Sequence, residues 1–101
     1  MSTIQVVLPQ EALKLFCARW CVKELSLFGS VLRDDFRPDS DLDVLVSFEE
    51  EAHIGLWDMA QMVIELESMF GRKVDLVEKE ALSNPYRKKA ILDHREIVYA
   101  A

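Results

Sequence analysis

LFGSVLRDDFRPDSDLDVLVSF, residues 27–48, changes character three times along its length. Leu25 to Phe28 form a short apolar strand that stops at Gly29-Ser30, and a brief helical turn runs from Val31 to Phe36. Arg37-Pro38-Asp39-Ser40 is a loop. Asp41 to Phe48 is a second strand. Beyond Asp43 it is apolar on both faces (Leu42, Val44, Leu45, Val46), which predicts a central position in a sheet.

Working outward, the pattern from Pro9 to about Lys23 is helical. Leu13, Phe16, Cys17 and Trp20 recur at the i, i+3, i+4, i+7 spacing, and Pro9 suits a first turn. Glu49-Glu50-Glu51 ends the second strand as a solvated loop. A helix is expected from about Leu56 to Phe70, stopped by Gly71. Its core stripe is Leu56, Met59, Ala60, Val63 and Phe70, which leaves Trp57, Met62, Ile64 and Met69 as an apolar surplus. Deep burial accounts for that surplus better than a partner interface does. Lys73 to Val77 is a third strand, Asn84-Pro85 opens a short helix to about Leu92, and Ile97 to Tyr99 form a last strand. This order predicts an α/β (α+β) fold, a small mixed sheet flanked by helices, with residues 1–101 as a single domain.

Composition narrows the partners. Half of the residues are hydrophobic, enough for a real core, while 12 Lys and Arg face 18 Asp and Glu, a net charge of -6. Nucleic-acid binding draws its affinity from basic faces on phosphates, so this balance argues against direct nucleic-acid contact. It leaves room for a charged ligand whose phosphates are bridged by metal ions. Cys17 and Cys21, four apart, read as reduced, partly buried thiols on one helix face, since His53 and His94 stand at no ligand-like spacing from them. The N-terminus lacks a signal-peptide pattern and no apolar run approaches the ~18 residues of a membrane span, so a soluble cytoplasmic protein is expected.

Three carboxylates stand out. Asp41 and Asp43 are two apart on a strand and project the same way. Two like charges on a largely apolar strand repel and lose hydration, a conflict that a divalent cation with hard oxygen ligands resolves. Asp75, between Val74 and Leu76, repeats the anomaly. Were its strand to lie beside the Asp41–Val46 strand, the three would converge on one point, which suits two metal ions around a transferring phosphoryl group. Gly29-Ser30 offers a phosphate cradle through close backbone approach, free N–H groups and a hydroxyl. Arg33, one turn on, serves either the same oxygens or a surface ion pair. Alone, each motif has an ordinary explanation: Gly-Ser as a turn, Asp-x-Asp as a polar pair at a loop edge.

Their combination resembles a known signature. Gly-Ser, ten residues, Asp-x-Asp and a later strand-borne Asp is similar to the pattern of the DNA polymerase β-like nucleotidyltransferase superfamily. Residues 27–48 resemble its minimal nucleotidyltransferase (MNT) group at Leu27, Phe28, Gly29, Ser30, Arg33, Pro38, Ser40, Asp41, Asp43 and Val46. RKVDLVEKEAL and NPYRKKAILDHREIVYA extend the likeness over most of the chain. Asp34 departs from it, standing where the group commonly has glycine.

The resemblance implies transfer of AMP from ATP, with Mg²⁺, to a hydroxyl. Gly29 and Ser30, with Arg33, would hold the triphosphate; Asp41, Asp43 and Asp75 would ligate two Mg²⁺ ions, and Asp75 would favour deprotonation of the acceptor. It further implies an antitoxin of the MntA type, whose partner is a HEPN-domain ribonuclease toxin modified on a tyrosine. Two alternatives stay open: an antitoxin acting by binding alone, and a subunit acting on a small hydroxylated molecule. Arg87-Lys88-Lys89 could touch phosphates or an acidic partner, but reads better as a solvated helix face.

Overall fold

The computed structural model describes residues 6–33 and 36–101. Along them run α1 (Gln10–Arg19), β1 (Val22–Phe28), β2 (Leu42–Phe48), α2 (Leu56–Phe70), β3 (Val74–Glu78), α3 (Pro85–Asp93) and β4 (Arg95–Ala100), with 3-10 turns at Gly29–Leu32 and Lys79–Ala81. The strands form one sheet in the order β3-β2-β1-β4. β1 is antiparallel to both β2 and β4, whereas β2 and β3 are parallel and joined through α2. The expected mixed sheet with flanking helices is therefore the fold, and β2 is one of its two central strands.

Alternation along the strands divides the sheet into two unlike faces. Leu25 and Leu27 of β1, Leu42, Val44 and Val46 of β2 and Val74 of β3 join Leu13, Phe16 and Cys17 of α1 and Met62 and Leu66 of α2 in one buried cluster. The other set of positions carries Ser26, Asp43, Leu45, Ser47 and Asp75. Leu45 and Ile91 of α3 are buried outside the main cluster. Polar side chains on this second face find partners. Arg95 donates to Glu24 and, at 3.3 Å, to the buried Ser26 hydroxyl, while Ser47 donates to Glu80 at 2.9 Å.

Element ends follow local chemistry. Gly71 closes α2 in the left-handed conformation (φ 68°), its N–H donating to Glu67 O at 2.8 Å. The Glu67 carboxylate then accepts from Val74 N at 3.0 Å, tying the helix end to the start of β3. Asn84 caps α3 by accepting from the N–H groups of Tyr86 and Arg87, with Pro85 in the first turn.

Several expectations shift. α1 ends at Arg19, and Cys21 is exposed with φ 55°, so it does not share a helix face with the buried Cys17. β1 starts at Val22, three residues early, because pairing with β2 and β4 extends it through the polar Lys23 and Glu24. The Gly29–Leu32 turn is shorter than the Val31–Phe36 turn read from sequence, and Arg33 is already extended. Asp34 lies outside the described residues.

The stripe of α2 is rotated from the expected one. Met62 and Leu66 are the fully buried residues, with Met59, Met69 and Phe70 packed beside them. Leu56 and Trp57 are 82% and 84% exposed, and Ile64 is 59% exposed. Deep burial of the whole helix is thereby excluded: α2 lies on one face of the sheet and keeps an apolar outer side. Nothing in the periodicity of so apolar a helix marked which stripe faces inward.

Candidate active site

The Asp43 end of β2 is where the sequence motifs meet. Phe28, the last residue of β1, is the antiparallel partner of Asp43, and Asp75 of β3 is its parallel partner. Gly29 follows Phe28 at once, with φ 77°. A Cβ there would overlap Oδ2 of Asp43 and lie 3.1 Å from its Cγ. Glycine is needed at this position twice over, for the left-handed backbone and for the carboxylate it makes room for. Ser30 and Val31 continue into the 3-10 turn, which the Arg33 N–H closes onto Ser30 O at 2.9 Å.

Asp41 precedes β2 by one residue and is exposed. Its loop is pinned from the α2–β3 connection. Arg72 donates to Arg37 O at 3.2 Å and Ser40 O at 3.3 Å, and its guanidinium lies over the Phe36 ring at 4.4 Å from the centroid. Ser40 Oγ accepts from Arg37 N, and Leu42 N donates to Lys73 O at 2.9 Å, which fixes where the strand begins. The role of Arg72 was hidden in the sequence, because nothing there places residue 72 beside residue 37.

The electrostatics are those of crowded negative charge. Burial pushes the Asp43 carboxyl above its ordinary value, and the carboxylates of Asp75 and Asp41 push it the same way. Arg33 and Arg87 oppose them. Among the described residues, no three His, Cys, Asp or Glu side chains are grouped to hold a metal ion as they stand. Even so, the oxygen-only donor set, the repulsion felt at Asp43 and the space left by Gly29 fit a hard divalent cation, which Asp41, Asp43 and Asp75 would hold.

A cleft of about 710 Å³ opens beside Gly29. Phe28, Gly29 and Arg33 line one wall, and Arg87, Ile91 and His94 line the other. The cleft thus joins apolar surface with cationic side chains next to an acidic row, the polarity that a nucleotide's base and phosphates require. Sequence reasoning left Arg87 and His94 out of the site, since only the tertiary fold brings α3 across from β1.

The model of the nucleotidyltransferase domain family matches residues 10–98. The chain belongs to this family. The nucleotidyltransferase is similar to a protein adenylyltransferase, MntA, of Thermococcus cleftensis, with 38% identity over 80% of this chain and 77% of that protein. Its fold matches a solved structure described provisionally as a minimal nucleotidyltransferase, with 38% identity, 85% of each chain covered and a TM-score of 0.69. It also shares its fold with the complex of a tri-AMPylated Shewanella oneidensis HEPN toxin and its MNT antitoxin. There the identity is 16%, the TM-score 0.66, and 91% of this chain and 70% of that chain are covered.

Proposed function

We propose that this nucleotidyltransferase is a protein adenylyltransferase antitoxin, moving AMP from ATP to a tyrosine hydroxyl of a HEPN-domain toxin. The observation that carries the reading is the alignment of Asp43 with Asp75 on adjacent strands, directly beside the Gly29 cradle and with the charge of Asp41 felt there. The likeness to the protein adenylyltransferase MntA supports a protein acceptor, and the fold shared with a structure of an MNT antitoxin and its HEPN toxin supports the antitoxin role. Among the described residues, no helix is long and apolar enough to cross a membrane, which accords with a cytoplasmic setting.

In this reading Gly29 and Ser30 orient the triphosphate through backbone N–H groups and the serine hydroxyl. Asp41, Asp43 and Asp75 would hold two Mg²⁺ ions, which supply charge neutralisation of the phosphates and the leaving group when bound. The tyrosine oxygen bonds to the α-phosphorus, the α–β phosphoanhydride bond breaks, and pyrophosphate leaves. Asp75 accepts the phenolic proton, a role its exposed position on the edge strand β3 allows.

The test is AMP transfer from labelled ATP to a purified HEPN-domain toxin that binds this chain. Wild type should label it and Asp43→Ala should not; undiminished labelling by Asp43→Ala would overturn the site. If that variant still neutralises the toxin fully, binding alone is the antitoxin mechanism.

A further inference from the structure

Arg87 sits in the first turn of α3, where Asn84 Oδ1 accepts its backbone N–H at 3.1 Å. Its side chain faces the 710 Å³ cleft across from Gly29 and Arg33. The other arginine on this wall, Arg95, is committed to Glu24 and Ser26. Lys89, two residues on, is paired with Asp93 at 2.6 Å. The Arg87 guanidinium has no hydrogen bond or ion pair with any described residue, yet its charge reaches Asp43. A guanidinium with no hydrogen bond or ion pair among the described residues, held at a capped helix start and facing a cleft beside Asp43, is suited to an anion placed between them.

We infer that Arg87 is a phosphate-binding residue, reaching across the cleft to the triphosphate whose opposite side rests on Gly29-Ser30. The inference deepens the proposed function and rests on it. Arg87 then performs two tasks with one side chain. Its fork-shaped donors bind phosphate oxygens, and its charge offsets repulsion between the phosphates and the Asp41–Asp43–Asp75 row. It also gives α3, which carries no acidic candidate of its own into the carboxylate row, a direct part in substrate binding. Phe28 and Ile91, which line the same cleft, leave apolar surface for the nucleoside.

Calorimetric titration with a magnesium-bound, non-hydrolysable ATP analogue tests this without turnover. Arg87→Ala should weaken binding about ten-fold or more, as expected for losing a charged hydrogen-bonding partner. Arg87→Lys should recover part of that loss, since it keeps the charge and loses the fork. Lys14→Ala makes the same charge change at an exposed position of α1, which packs on the sheet's other face, and should stay within about two-fold of wild type. The melting temperature of Arg87→Ala should match wild type, because the side chain has no hydrogen bond or ion pair among the described residues to lose; Arg87→Gln substitutes if the alanine variant does not fold. Wild-type affinity retained in Arg87→Ala, or an equal loss in Lys14→Ala, overturns the inference alone. A wild-type chain that binds no nucleoside triphosphate overturns the proposed function itself.

Discussion

Gly29 and Asp43 stand in direct contact: a Cβ on the glycine would overlap the aspartate's Oδ2 and push the carboxylate out of its place. The proposed phosphate cradle and the proposed metal-binding carboxylate are therefore one packed unit rather than two neighbouring motifs. Position 29 is bound to glycine by its φ of 77° and by this overlap together.

Gly29→Ala should lower stability by about 1–3 kcal/mol, from left-handed strain plus displacement of a side chain. Nucleotide transfer should fall below detection, because the displaced group is Asp43. Chemical denaturation of Gly29→Ala, Asp43→Ala and the double variant checks the cause. The alanine at 29 should destabilise less when Asp43 is absent, so a fully additive pair would show that the overlap is not the source.

Asp43 should trade stability for function. Its carboxyl is raised in the folded state, so between its ordinary value and the raised one the folded chain binds more protons than the unfolded chain. Stability from this group is present below the ordinary value of 3.8 and is lost as pH rises through the raised value. Asp43→Asn should then melt a few degrees higher than wild type at pH 7 without divalent cations, with the gap closing below about pH 4. Adding Mg²⁺ and ATP should raise the wild-type melting temperature and leave the variant's nearly unchanged. Scanning calorimetry across pH reads all of these, and a variant less stable than wild type at pH 7 would contradict the electrostatic account.

The two thiols should behave differently despite standing four residues apart. Cys17 is buried and its thiol is pushed up to about 12, whereas Cys21 is exposed. A thiol reagent at pH 8 should modify Cys21 in the native protein and reach Cys17 only on unfolding. Peptide mapping after brief alkylation distinguishes them, and equal labelling would mean that α1 does not seal the core.

Much of this was legible before the fold was known because strand chemistry is local. Alternation alone placed Asp43 and Leu42 on opposite faces of one strand, and the spacing from Gly-Ser to Asp-x-Asp carried the likeness to the nucleotidyltransferases. What stayed hidden depended on distant pairing. Arg72 over Phe36 and Arg87 across from Gly29 need the sheet and α3 in place before they mean anything. The inner stripe of α2 was misassigned for a different reason: Leu56, Trp57, Met62 and Ile64 are all apolar, so hydrophobicity alone could not orient the helix. Cys21 was placed on α1 because its spacing from Cys17 suits a helix, and only the left-handed turn after Arg19 removes it.

The pairing of Asp43 with Asp75 across β2 and β3 has a bearing on how such chains can lengthen or shorten over time. Side chains alternate along a strand, so shifting β3 by one residue would turn Asp75 toward the helices and present Val74 or Leu76 in its place. The loop ahead of α2 is free to gain or lose residues as long as Glu67 and Gly71 still deliver Val74 to Leu42, whereas α2 itself is held by its buried Met62 and Leu66. An insertion within Val74-Asp75 itself has no such latitude. Length variation in this architecture should therefore collect around residues 49–55 and spare the two strands whose alignment sets Asp43 beside Asp75.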